Sequence, residues 1–305
     1  LKPLLLITWF AFVLMACNLS NPNSEPPTVE PRGFNPDNVP TAQATLGLQN
    51  PDTSAQNNSS TPNAPGGATV QNVLFDLTRD VQTDRLYRHV EALVGFRTRH
   101  INSSQTLPNE GIGAAYRYIT AEMEAIQQQY NDQRFALLPG GHAFTAYSGD
   151  GVESQQRNVV AVLKGTEVGA GTIVIGAHYD SRTDDLLDGS ANAPGAADNG
   201  SGVAVVLELA RVLSQHPQRS TIIFVLFSAE EHNRQGSKAF VNDYILSNNI
   251  DVIAMINIDT VGSWNNSQGE INDEDIRLFA NPDSTGSLQL ARTVNFVGAN
   301  YDLSL

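Results

Sequence analysis

The sequence predicts an α/β fold: a three-layer α/β/α sandwich in which helices cover both faces of a mixed, mostly parallel central sheet. Short apolar runs rich in β-branched residues and bounded by turn residues predict buried strands. They alternate with segments whose apolar residues recur every three or four positions, the period of a helix. Hydrophobic residues make up 41% of the 305 positions, which is enough for one sizeable core.

Residues 1–71 stand apart from this alternation. Residues 1–16 combine one lysine with an apolar run that is too short for a stable transmembrane helix, and they predict a lipoprotein-type signal peptide. The run ends in Leu-Met-Ala followed by Cys17, which resembles a bacterial lipobox, where the cysteine is lipidated. An ordinary signal peptide or a signal anchor is the alternative. Residues 17–71 are rich in Pro, Asn, Ser and Thr and predict a disordered tether.

Cys17 and the charge balance together limit where the protein acts and what it binds. We expect export and lipid anchoring to the outside of a bacterial cell membrane, or secretion if Cys17 is not lipidated. Because Cys17 is the single cysteine, any metal site must be built from His, Asp and Glu. The net charge of -14, from 32 acidic and 18 basic residues, argues against a nucleic-acid partner.

Residues 72–305 are predicted to form the folded domain, which opens with two helices and two strands. Segments 85–94 and 111–130 carry apolar residues at three- and four-residue spacings, so both predict amphipathic helices. Segments 158–165 and 172–180 are short apolar runs between turn residues, and they predict buried strands.

The second half of the domain continues the alternation. Segment 201–214 predicts a helix with Ser201 as its N-cap. The apolar, β-branched segment 221–228 predicts a buried strand, 237–246 a helix, and 252–259 a further strand. Strands that alternate with single helices are expected to pair in parallel through crossover connections.

The candidate functional residues share a position at the end of a predicted strand or in an adjacent loop. In α/β folds this edge of the sheet is where ligands bind. The group contains one imidazole and five carboxylates, a nitrogen and oxygen set that suits zinc best, with manganese, cobalt or iron possible on ligand type alone. An excess of carboxylates over the needs of one tetrahedral ion suggests two ions. The residues are His178, Asp180, Asp198, Glu230, Glu231 and Asp259.

Two pairs within this group have a spacing that favours a division of labour. His178 and Asp180 lie on the same side of an extended segment, which suits a ligating imidazole whose other nitrogen is held by a carboxylate. Glu230 and Glu231 are adjacent, so their side chains diverge, and one can bind metal while the other acts as general base. Taken singly, each pair is also compatible with solvated or structural residues.

Four stretches carry a family resemblance. GAHYDSR, PGAADNGSGVAVVLELAR, STIIFVLFSAEEHNRQGSKAFV and IAMINIDTVG resemble, in order and spacing, the motifs of the co-catalytic di-zinc aminopeptidase family. That family also includes glutamate-carboxypeptidase-like enzymes and glutaminyl cyclases. The resemblance extends from about residue 85 to the end and implies a zinc-exopeptidase-like fold and a zinc peptidase domain at 72–305.

The resemblance also implies a role for each metal ligand. By position, His178 and Asp259 would hold one zinc ion, Asp198 would bridge two ions, and Glu231 would bind the second. The family typically holds the peptide bond after the bridging aspartate in the cis form, here the bond between Asp198 and Asn199.

The implied activity is that of a metal-dependent exopeptidase. Glu230 would be the general base for a metal-bridging water that hydrolyses the N-terminal bond of a peptide substrate, and Asp180 would orient His178. A carboxypeptidase or a glutaminyl cyclase on the same fold is an alternative within the enzymes. A binding domain that kept the fold and lost the chemistry is an alternative from another class.

The sequence departs from the family pattern at three places. Asn233 stands where the family usually has glycine, and Thr260 where methionine is common. Asn tolerates left-handed backbone geometry better than most residues, so the turn can survive. The family's last ligand is a histidine well downstream of Asp259, whereas His232 is the last histidine in this sequence. The domain is therefore expected to be incomplete at its C-terminus, and the oligomeric state is not predicted.

Overall fold

A computed structural model describes residues 77–130, 134–263, 269, 271 and 276–300. The predicted signal peptide, Cys17 and the predicted tether lie outside the described residues. Within the described part of the chain, no helix is long and apolar enough to span a bilayer.

Strands and helices alternate along most of the described chain. The strands are β1 (Phe135–Leu137), β2 (His142–Tyr147), β3 (Glu153–Leu163), β4 (Thr172–His178), β5 (Thr221–Phe227) and β6 (Val252–Asn257). The α-helices are α1 (Thr83–Gly95), α2 (Ile112–Gln129), α3 (Gly202–Ser214), α4 (Gln235–Phe240) and α5 (Thr285–Asn300). A π-helical turn precedes α3 at Ala196–Ser201, and another follows α4 at Val241–Leu246.

The six strands form one mixed sheet, which confirms the predicted α/β class. The order is β1-β3-β5-β4-β6, with β2 paired to β3. Strand β4 pairs in parallel with both β5 and β6, whereas β1, β2 and β5 pair with β3 in antiparallel fashion. The parallel part of the sheet is therefore centred on β4. The chain passes from β4 to β5 on one side of it and later returns to form β6 on the other side. In such sheets the crevice at this switch point binds ligands.

Alternation along β5 shows why both faces of the sheet are covered. Ile222, Phe224 and Leu226 join the larger hydrophobic core, which α1, α2 and α3 share. Ile223 and Val225, with Phe227, join a second core that contains Phe240 and Ile245 from the helical segment after β5. Side chains of a strand alternate between faces, so a strand that is apolar at every position must be buried on both.

The hairpin of β2 and β3 was missing from the sequence prediction. Strand β3 begins at Glu153 rather than 158, and its first half alternates exposed and buried residues while it pairs with β2. Polar residues such as Gln156 and Asn158 are buried there, which hid the strand from a search for apolar runs. Ser201 is the N-cap residue of α3, as predicted, but it makes no side-chain capping bond, because its hydroxyl donates to the Ala197 carbonyl and accepts from Gly262 N–H.

A buried carboxylate on α3 anchors the segment that enters α1. The side chain of Glu208 is 2% exposed and accepts from both the Nε and a terminal nitrogen of Arg211, at 2.9 and 2.6 Å. Glu208 also accepts from the backbone N–H of Gln82 at 2.7 Å and from Arg85 Nε at 3.3 Å. Four donors therefore replace the water that this charge loses on folding.

We expect Glu208→Gln to lower the free energy of unfolding by about 3 kcal/mol, because the change leaves the buried Arg211 charge without its counterion. Urea denaturation measures this loss. The matched control is Glu167→Gln, which breaks the exposed Glu167–Arg219 pair and should cost far less, because water screens that pair. Equal losses in the two variants would contradict an anchoring role for Glu208.

Candidate metal centre

The carboxyl ends of β4, β5 and β6 bring the predicted site residues to one edge of the sheet. His178 is the last residue of β4, Glu230 follows β5 by three positions, and Asp259 follows β6 by two. His178 pairs with Phe227, and Gly176 pairs with Asn257, so the carboxyl ends of the three strands lie at the same edge of the sheet.

His178 is the centre of a cluster that could hold a metal ion. Its Nε2 lies 3.0 Å from an Asp198 oxygen and 3.4 Å from an Asp259 oxygen. One ligand atom from each of these three residues lies within 4.8 Å of the others. His178 is 2% exposed, whereas the Asp198 and Asp259 side chains are 55% and 23% exposed. A buried imidazole with two carboxylates open to solvent is a donor set that fits zinc.

Asp180 lies on the other side of the His178 ring. Its carboxylate is 3.4 Å from His178 Nδ1, and its backbone carbonyl lies at 3.2 Å from the same nitrogen. Fully buried, the carboxylate also accepts the backbone N–H groups of Glu230 and Glu231, at 3.0 and 3.1 Å. It therefore fixes the ends of β4 and β5 relative to each other, a contact that the sequence did not predict.

Burial opposes a charge on His178, but the hydrogen bonds that its ring donates to Asp180, Asp198 and Asp259 outweigh it and raise the pKa of this imidazole well above its ordinary value. The pKa of Asp198 is lowered, chiefly by its contact with His178. The surroundings therefore favour positive charge at this point, which a metal ion supplies as well as a proton does.

The loop that carries Asp198 is held by its neighbour Asn199. The peptide bond between them is cis, as the family resemblance predicted. The buried Asn199 side chain donates to the Ile258 carbonyl at 2.9 Å and accepts from the backbone N–H of Gly202 and Thr260. Gly202 permits this close approach, since a Cβ there would lie 2.3 Å from the Ile258 carbonyl oxygen. Asn199 thus ties the Asp198 loop to the segment that carries Asp259.

Arg99 supports the same loop, a role that the sequence analysis did not predict. Its side chain is fully buried and donates to backbone carbonyls, including those of Tyr179 at 2.6 Å, Pro194 at 2.6 Å and Gly195 at 2.9 Å. Burial lowers the pKa of Arg99 to about 10, while the charges of nearby carboxylates, Asp180 first, oppose this effect. An arginine far from the motifs in sequence carries no signal that could have identified this role.

Strand β3 fixes the turn that presents Glu230. Asn158 accepts the backbone N–H of Ser228 at 3.0 Å, and the Ser228 hydroxyl donates to Gln156 at 2.7 Å. Ala229 then takes a left-handed conformation with φ of 58°. The turn after the carboxylates also contains a left-handed residue, Asn233 with φ of 68°, as predicted for a position where the family has glycine.

The two adjacent glutamates have different surroundings. Burial raises the pKa of Glu230; the charge of His178 opposes the rise, and nearby carboxylates add to it. Burial also raises the pKa of Glu231, although the hydrogen bond from Arg182 opposes this. Arg182 Nε donates to Glu231 at 2.6 Å, and Glu231 is not part of the His178 cluster in the described residues. The roles of Glu230 as base and Glu231 as ligand stay predictions.

Comparison with known proteins identifies the domain. The model of Peptidase family M28 matches residues 158–300, and this part of the chain is a Peptidase family M28 domain. The resemblance predicted from the four motifs is therefore confirmed, and the region matched contains every predicted site residue.

Two curated relatives and one solved structure illustrate the similarity. A probable zinc metalloprotease of Pyrenophora tritici-repentis is 35% identical over 210 residues, which cover 68% of this chain and 48% of that protein. A probable zinc metalloprotease of Pyricularia oryzae is 33% identical over 268 residues, covering 86% and 53%. The chain spans about half the length of these relatives. LapB from Legionella pneumophila is 26% identical, with a TM-score of 0.50, covering 65% of this chain and 48% of that chain.

Loss of a residue that only supports a metal ligand lowers metal affinity by roughly 10- to 100-fold. Because His178 is itself a proposed ligand, we expect His178→Ala to lower zinc affinity by more than this. Calorimetric titration with Zn²⁺ measures this. His216→Ala is the control. His216 follows the C-terminal end of α3, whereas the Asp198 loop precedes its N-terminal end, and His216 pairs with Asp80. Unchanged zinc affinity in the His178 variant would contradict the assignment of the centre.

Proposed function

We propose that this domain is the catalytic part of a zinc-dependent exopeptidase of aminopeptidase type, acting on the N-terminal bond of a peptide. The convergence of His178, Asp198 and Asp259 at the carboxyl ends of the parallel strands, with Glu230 beside them, carries the proposal. The names of the curated relatives support the zinc-dependent chemistry.

The residues present fit zinc. In the proposed centre His178, Asp198 and Asp259 would hold one ion, and Glu231 together with Asp198 would contribute to holding a second. Zinc, when bound, polarises a carbonyl group and lowers the pKa of a water ligand to about 7. The chain itself contributes Asp180, whose carboxylate contacts the ring nitrogen of His178 that faces away from the cluster and so fixes the orientation of the imidazole.

Glu230 is the proposed general base. Its carboxylate takes a proton from the attacking water and then donates that proton to the leaving amine nitrogen. Two observations support this role. Its pKa is raised by burial, which brings it toward the working range of a base near neutral pH. It also has no bonded cation in the described part of the chain, so the carboxylate is available for proton transfer.

Charge at the centre favours an amino terminus over a carboxyl terminus as the recognised end. A carboxypeptidase requires a cation for the substrate's C-terminal carboxylate. Among the described residues at the centre, Arg182 is paired with Glu231 and Arg99 is bound to backbone carbonyls. A free ammonium group, in contrast, would meet an excess of carboxylates.

The decisive assay compares aminoacyl-methylcoumarin amides with a free and an N-acetylated amino group. We expect hydrolysis of the free form alone, in a reaction that a chelator abolishes and Zn²⁺ restores. Cleavage of the acetylated form, or of C-terminal residues, would replace the aminopeptidase proposal by an endopeptidase or carboxypeptidase. Cyclisation of an N-terminal glutamine would replace it by a glutaminyl cyclase, and no turnover with metal bound would favour a binding domain.

Substitution of the two glutamates separates base from ligand. Glu230→Gln should keep the bound zinc and lower kcat by about 10²- to 10⁴-fold, because no group remains to move the proton. Glu231→Gln should lower metal content, since a neutral amide is a poorer zinc ligand than a carboxylate. Metal analysis beside steady-state kinetics checks both. The opposite pattern would exchange the two roles.

We propose further that the protein is exported and held at the outside of a bacterial cell membrane by a lipid on Cys17. The support is the lipobox-like sequence at the end of residues 1–16 and the Pro-, Asn-, Ser- and Thr-rich segment 17–71 that separates it from the domain. A peptide is the proposed partner at the centre, and the acidic balance of the chain favours no nucleic acid.

We expect Cys17→Ser to abolish labelling by a fatty-acid analogue and to move the protein out of the membrane fraction. Ser59→Ala, within the same polar segment, is the control and should leave labelling unchanged. Retained labelling in the Cys17 variant would exclude the lipobox.

A further inference from the structure

The carboxylate of Glu231 is bound by a cation of the chain itself. Arg182 Nε donates to Glu231 at 2.6 Å, and the two side chains are 38% and 11% exposed. The other hydrogen bond described for the guanidinium runs to the Thr183 carbonyl, one residue away, at 3.2 Å. The contact with Glu231 is therefore what directs this partly exposed side chain toward the centre.

We infer that Arg182 is a built-in competitor for a second divalent cation, because its guanidinium and the cation bind the same carboxylate of Glu231. The centre then has two unequal positions: a tighter one at His178, Asp198 and Asp259, and a weaker one that is filled only when Arg182 is displaced. This inference rests on the proposed function, since it concerns metal binding at the same centre.

The physical chemistry of arginine supports this competition. A guanidinium stays protonated throughout the working pH range, so it leaves Glu231 by displacement and not by losing its charge. A positive charge close to a divalent cation also repels it, and this repulsion is strong at partly buried sites. Loading of the second position therefore depends on metal concentration, with Arg182 setting the threshold.

The test is calorimetric titration of the protein with Zn²⁺ after removal of metal, with Co²⁺ absorbance as an independent readout. We expect Arg182→Gln to strengthen binding of the weaker ion by roughly tenfold, because both the competing hydrogen bond and the repulsion are gone. The tighter ion should change by less than about threefold, since the hydrogen bonds described for the Arg182 guanidinium run to Glu231 and Thr183 and not to the ligands of that ion. Arg182→Lys, which keeps the charge without the planar guanidinium, should fall between the two.

Arg219→Gln is the matched control for the change in net charge. Arg219 pairs with Glu167 at 2.7 Å, but it precedes β5, about 20 Å from the carboxyl end of that strand. The Arg219→Gln variant should therefore bind both ions with unchanged affinity. Glu231→Gln should abolish the weaker ion alone, which would assign that ion to the Glu231 position.

Each outcome has a distinct meaning. Equal shifts in the Arg182 and Arg219 variants, or weaker binding of the second ion in Arg182→Gln, would overturn the competition while the tighter ion still supports the proposed function. Failure of the unaltered protein to bind any ion would overturn the proposed function and the competition together. Circular dichroism that matches the unaltered protein excludes unfolding as the cause.

Discussion

The carboxylate of Asp180 couples parts of the molecule that are otherwise joined only by the sheet. It is fully buried, so its charge must be compensated by protein groups. Two backbone N–H groups of the turn after β5 and the imidazole at the end of β4 supply that compensation. A shift of the turn would expose this charge to an apolar interior. The position of Glu230 and Glu231 relative to His178 is therefore fixed by electrostatics and not by loop length alone.

Around Asp180 the charges do not balance without a cation. Arg99 is a buried base near this group, but its donors go to backbone carbonyls, so it stabilises the loop before Asp198 rather than pairing with a carboxylate. Arg182 neutralises one glutamate at the rim. The carboxylates of Asp198 and Asp259 are left facing the same imidazole nitrogen. An arrangement of this kind is costly unless it binds positive charge, and that cost is the physical reason to assign a metal centre.

The sequence was sufficient to predict the strands that are apolar runs and the candidate ligands at their ends. Apolar runs predicted β4, β5 and β6. Because His178 and Asp259 lie at or just after the carboxyl ends of predicted strands, the sequence also predicted that they lie close together. It was insufficient wherever a polar side chain is buried for a long-range contact. Gln156, Asn158 and Arg99 satisfy backbone groups that are distant in sequence, and no local pattern encodes such a partner. The β2–β3 hairpin was missed for the same reason.

The different roles proposed for Glu230 and Glu231 arise from side chains whose backbone is held in the same way. Both N–H groups bind the same Asp180 carboxylate, so the backbone treats the residues alike. Their side chains diverge, and only one of them meets a guanidinium. Burial and neighbouring carboxylates raise the pKa of both residues, but at Glu231 the hydrogen bond from Arg182 opposes the rise. Glu230 therefore fits the proposed role of base better, and Glu231 the proposed role of ligand. The difference between the two neighbours therefore comes from Arg182 as much as from their own positions.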